Sequence, residues 1–170
     1  NTSQQDAVVC RLVLLASEFP TARWRVLDHD MRSLTIPNKE RDRVLKIHRI
    51  VGKLPTNIEQ CRRYRICIDD DVNAHLDIEA ALNPQNATET KQLLEQTPMP
   101  KGGIEPLVDG HLLSSSSGLP SGRRLGRLKE WLFRSQVDQD LASTEEVLAL
   151  LDVLDWKATN PEDWPQVDWP

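Results

Sequence analysis

The residues best suited to chemistry are three consecutive carboxylates, Asp69-Asp70-Asp71. Paired carboxylates hold magnesium for phosphoryl transfer. These lie between two helical patterns, with neither a strand nor a Gly-rich phosphate loop beside them, so a helix cap with solvated acids is the better reading. His29-Asp30 could serve as a metal pair for phosphoester hydrolysis, but that needs an upstream His, and none precedes His29. His48, His75 and His111 are scattered without ligand spacing. Cys10, Cys61 and Cys67 have no matching cluster, which disfavours structural zinc, and their odd number fits reduced thiols in an intracellular protein. No catalytic residue and no metal ligand set is expected within the chain.

Binding chemistry is easier to place. Residues 39–65 carry nine Lys or Arg against three acids, net +6, and residues 121–134 carry five against one, net +4. Residues 138–170 carry nine acids against Lys157, net -8. Two basic islands in a chain of net charge -5 suggest local contact with a polyanion. The acidic end could equally fold back over them, and charge alone leaves both readings open. In the first island Lys39, Arg43, Lys46, Arg49 and Lys53 share a helix face, opposite Val44, Ile47, Val51 and Leu54. Arg62-Arg63-Tyr64-Arg65 sets cations around an aromatic, a pattern suited to a phosphate backbone with a stacked base. In the second, Gly122-Arg123-Arg124 opens a helix, so backbone N–H groups, helix dipole and guanidinium groups favour a phosphate together. Arg127 lies on the same side. The competing reading is a solvated charged face and an ordinary tight turn.

The elements that must position these groups read as helices nearly throughout, an all-α chain without alternating strand patterns. An opening helix spans about 5–17, with Val8, Val9, Leu12, Leu15 and Ala16 inward, and Phe19-Pro20 stops it. Asn38 caps a helix over 39–54, Thr56 caps one through Cys67, Asp69–Asp71 starts a fourth that ends at Asn83-Pro84, and 87–96 forms a fifth. The stretch 98–103 has linker composition, dividing a helical body-like module (1–97) from a helical tail module (104–158) and an irregular end (159–170). In the tail, Asp109 caps a short helix through Leu113, followed by the serine run Ser114–Ser117 and a Gly-Leu-Pro-Ser-Gly turn. A long helix then runs to about Gln139 with Leu125, Leu128 and Leu132 inward. Ser143 with Glu146 is a capping-box signature opening a last helix of Val147, Leu150, Leu151 and Leu154. Trp131, Trp156, Trp164 and Trp169 are read as packing residues before stacking platforms.

Composition bounds the class. Hydrophobic residues make up 39% of 170, charged residues 28%, a soluble globular profile with enough chain for a core without disulfides. Apolar runs are too short for a membrane span, and no secretory signal is visible at the start. The first residue is not Met, and the chain is expected to begin inside a longer gene product.

The segments Glu105-Pro-Leu-Val-Asp-Gly-His-Leu-Leu, Gly118-Leu-Pro-Ser-Gly-Arg-Arg-Leu-Gly126 and Leu128-x-x-Trp131-Leu132-x-x-x-Gln136 resemble the tail of class II CCA-adding tRNA nucleotidyltransferases, in the poly(A) polymerase family. The family tail carries a Pro-Leu-x-x-Gly-x-x-Leu segment, a Gly-Leu-x-Pro-Gly-like turn and a Leu-Gly helix with a Gln near its end. Thr144–Leu151 is similar to the Leu-rich helix that follows there, and Leu34-Thr-Ile-Pro-Asn-Lys-Glu-Arg-Asp-Arg-Val-Leu resembles the preceding body segment. The pattern of the tail also resembles that of filamentous-fungal members. Ser114–Ser117 departs from a more apolar stretch, and Ser121 stands where Gly or Pro is usual. The resemblance implies a parent transferase that completes tRNA 3′ ends with CTP, ATP and magnesium on head and neck domains outside this chain. This chain, inactive alone and holding no cofactor, would grip the tRNA acceptor stem, T arm and elbow through Lys39, Arg43, Lys46, Arg49, Arg62, Arg63, Arg65, Arg123, Arg124 and Arg127. A helical protein-interaction domain and a degenerate paralogue are the alternatives.

Overall fold

The apolar periods of the sequence close into helices, and no strand occurs among the described residues. The computed structural model describes residues 2–18, 20 and 23–170; Phe19, read above as part of a helix stop, lies outside them. In chain order the helices are α1 (Thr2–Ala16), α2 (Trp24–Ser33), α3 (Asn38–His48), α4 (Ile58–Ile68), α5 (Val72–Leu82), α6 (Pro84–Gln96), α7 (Gly110–Ser117), α8 (Arg123–Gln139) and α9 (Thr144–Ala149). None of them is long and apolar enough to cross a membrane. Contacts divide the chain into two compact units, Asn1–Thr56 with Ile68–Gln96, and Asn57–Cys67 with Thr97–Trp169.

In the first unit Val9, Val13 and Ala16 of α1 meet Leu27 and Met31 of α2, Val44, Leu45 and Ile47 of α3, and Ala74 and Ile78 of α5. The inward stripe of α1 is thus one residue out of phase with part of the sequence expectation: Val13 is fully buried, whereas Leu15 is 79% exposed. Helix α2 was not anticipated. Its sequence, Trp-Arg-Val-Leu-Asp-His-Asp-Met-Arg-Ser, buries only Leu27 and Met31, one turn apart, so its apolar signal is thin and its helicity relies on packing. Helix α3 ends at His48, earlier than expected, and the following turns lead to Gly52 at φ +79. That left-handed conformation suits glycine, and its N–H is held by the Glu79 carboxylate.

The second unit packs Val108, Leu113, Leu125, Leu128, Leu132, Val147, Leu150, Trp156 and Trp164 together. The Asp109 side chain caps helix α7 by accepting the Leu112 N–H, and the helix ends on left-handed Gly118. The serine run is helical, unlike the expectation that the helix stops at Leu113. Ser115 and Ser117 donate to the carbonyls of His111 and Leu113, four residues back, so these hydroxyls bond within the helix. Ser143 and Glu146 form the expected reciprocal capping box of α9.

The stretch that reads as a linker is tied into this unit. Just before it Arg65 donates to the Thr97 carbonyl at 2.6 Å, and within it the Lys101 N–H meets Asp140 Oδ1 at 2.9 Å. Helix α4 belongs here as well, although its sequence reads on from the first module. An amphipathic pattern reports that a helix has a buried face, not which helices will cover it.

Candidate nucleic-acid interface

Each cation singled out from sequence acquires a definite neighbourhood. In the first unit Arg43 bridges two acids, Nε to Asp71 Oδ1 and Nη2 to Asp6 Oδ1, both at 2.7 Å. Burial alone would lower its pKa, but these carboxylates raise it, so the guanidinium stays charged. Lys46 Nζ reaches the Ile68 carbonyl at 2.9 Å and Asp71 Oδ2 at 3.3 Å. Asp71 is therefore a buried counter-ion to two cations. These side chains line a cleft of about 490 Å³ with Gln5, Asp69, Asp70, Asn73 and Lys39. Lys39 is exposed and has no ion-pair partner among the described residues. Arg49 is exposed too, its guanidinium 4.5 Å from the ring centroid of Trp24.

The α4 cluster turns inward. Arg63, 9% exposed, binds Asp138 at 2.9 and 3.0 Å and Glu59 at 3.1 Å. Arg62 pairs with Asp140 at 3.0 Å. Tyr64 is fully buried and meets the edge of Trp169, ring centroids 5.3 Å apart, so it offers no base a stacking surface. The sequence pattern of cations around an aromatic is present, but here it staples α4 to its own unit.

On α8 the returning chain end takes up the cations, the second of the two readings that charge left open. Arg124 donates to the carbonyls of Trp156 and Lys157 at 2.7 and 3.2 Å. Arg127 donates to those of Pro161 and Trp164 at 3.0 and 2.7 Å. Arg134 meets the Gln166 carbonyl and the Asp138 and Asp168 carboxylates. Trp164 seals the contact against Trp131, ring centroids 5.4 Å apart. Arg123 differs: its side chain is 79% exposed, and its ion pair with Glu162 at 2.7 Å is itself exposed. Such a pair is worth about 0–1 kcal/mol and is readily exchanged for a phosphate. Gly122, at the N-cap, supplies no side-chain cap to the first N–H groups of α8.

The ten sequence-selected cations therefore separate by environment. Lys39, Arg49 and Arg123 face solvent; Arg43, Lys46, Arg62, Arg63, Arg65, Arg124 and Arg127 have internal partners. Sequence reasoning passed over Trp24, although Arg23-Trp24-Arg25 has the same cation–aromatic–cation order that drew attention to Tyr64. No protein-family model, curated protein or solved structure matches this chain.

Proposed function

We propose that this chain is a non-catalytic helical grip for RNA, the body-and-tail portion of a CCA-adding tRNA nucleotidyltransferase that holds the tRNA acceptor stem, T arm and elbow. The CTP, ATP and magnesium chemistry of 3′-end completion would belong to the parent enzyme's head and neck. The observation that carries the reading is how the resembling segments meet. Gln136, near the end of α8 and 2% exposed, accepts from the Leu107 N–H at 3.0 Å and donates to the Glu105 carbonyl at 3.0 Å. The Glu-Pro-Leu segment and the Leu-Gly helix thus fold against each other through the Gln that the resemblance singled out. Arg123 and the open start of α8 remain exposed at the other end of that helix. Uncapped N–H groups beside a guanidinium favour a phosphate.

The test is a salt titration of binding to a tRNA lacking its terminal CCA, beside a matched duplex DNA. Binding should prefer tRNA and weaken with log salt by about 0.7 to 0.9 per phosphate contact. Lys39→Glu and Arg123→Glu should each reduce affinity and slope. Absence of binding at low salt would sink the reading.

A second reading, a protein-interaction domain, draws support from the internal pairing of the α4 and α8 cations, which leaves fewer of them for a polyanion. It predicts RNA-independent binding of a basic partner to the acidic chain end.

A further inference from the structure

We infer that Trp24, Arg25 and Arg49 form a docking point for one unstacked RNA base and its flanking phosphates, at the start of a helix that local periodicity does not reveal. This rests on the RNA-binding reading for the kind of polyanion, and it adds Trp24 and Arg25 to the Arg49 that reading already uses.

The guanidinium carbons of Arg25 and Arg49 lie 5.2 and 4.5 Å from the centroid of the Trp24 ring, within cation–π range. One cation comes from α2 and the other from the residue that caps α3, so tertiary folding brings them together. Both are exposed, and neither has an ion-pair partner among the described residues. Three other arginines of this unit are neutralised: Arg32 and Arg41 by Asp28, Arg43 by Asp6 and Asp71. Exposed Arg23, next to Trp24, adds a further cation without an ion-pair partner among the described residues.

Trp24 is half-buried and packs against the core of this unit, which fixes the ring. A guanidinium stacked on a ring still has N–H groups to give, so one side chain can meet the indole and a phosphate together. An exposed cation–π contact is worth only about 0.5–1 kcal/mol, whereas stacking a base on an aromatic is worth about 1–3 kcal/mol, so a base can displace a guanidinium from the ring. This favours RNA over an acidic peptide. Carboxylates would use the cations but gain nothing from the planar ring beside them.

The intact chain is titrated by fluorescence anisotropy with labelled hexauridylate, with tRNA lacking CCA, and with polyglutamate, at several salt concentrations. The double variant Arg25→Ala/Arg49→Ala should bind hexauridylate about tenfold more weakly, with a salt slope smaller by about 1.4 for two lost single-strand phosphate contacts. Trp24→Leu should weaken binding about 5- to 150-fold without changing the slope, and Trp24→Phe should restore most of it, as stacking requires. Circular dichroism checks the folding of the Trp24 variants, and the two arginines, being exposed, carry the test if Trp24→Leu unfolds. Wild-type affinity and slope in the double variant, while Lys39→Glu and Arg123→Glu weaken tRNA binding, would overturn this site and leave the RNA reading standing. Polyglutamate binding through the patch without RNA binding would overturn it in favour of a protein partner. Binding of neither polymer would overturn both proposals.

Discussion

At the scale of single residues, Gln136 shows how much one buried amide can organise. Its oxygen satisfies the Leu107 N–H, and its nitrogen reaches the Glu105 carbonyl at 3.0 Å and that of Gly102 at 3.4 Å. Gly102 has no room for a side chain, since a methyl group there would run into the Leu141 carbonyl and the Gln136 amide. Gln136→Leu keeps the bulk but leaves the Leu107 N–H without its acceptor, which costs about 1–3 kcal/mol. A lower urea midpoint for the second unit is the expected result, and an unchanged midpoint would refute this role for the amide. Asp138 acts similarly for charge, holding Arg63 and Arg134 at once.

At the scale of elements, a helix start is most legible where a side chain caps it. Ser143 accepts from the Glu146 N–H while the Glu146 carboxylate takes the Ser143 N–H, fixing the start of the short helix α9. Ser143→Ala should cost about 0.5–2 kcal/mol and speed amide exchange in α9 before it affects α8. Helix α8, by contrast, begins at Gly122 without a side-chain cap. The serine end of α7 is hard to read because serine favours turns and caps over helix interiors, and α2 because it buries only two apolar residues. Neither leaves a strong period in the sequence.

At the scale of the whole molecule, buried and bridging carboxylates set the response to acid. Burial alone would raise the Glu79 pKa, but hydrogen bonds from His75 and the Gly52 N–H hold it below the usual glutamate range. Asp140 is likewise held low: desolvation pushes upward, and the Lys101 N–H with Arg62 and Lys101 outweighs it. A carboxylate with a depressed folded-state pKa contributes stability that is complete above its unfolded value. That contribution fades as pH falls below about 4, where the unfolded chain takes up protons first. Urea midpoints should therefore drop between pH 6 and pH 3. Glu79→Gln should flatten that drop for the first unit and Asp140→Asn for the second; equally steep profiles in the variants would contradict this assignment.

The amino-acid sequence alone determined the all-α class, the leucine face of α8, the caps at Asp109 and Ser143, and the places where cations cluster. All of these follow from local spacing and short-range hydrogen bonding, which residues a few positions apart decide among themselves. Only the tertiary structure decided which cations remain available. Arg63 lies 75 residues from Asp138, and Arg124 lies 32 residues from the Trp156 carbonyl that it holds. It also decided that Arg49 would meet Trp24 and that α4 would join the second unit. A charged side chain spends its charge on whichever acid or carbonyl the fold brings within about 3 Å, and long-range packing selects that partner.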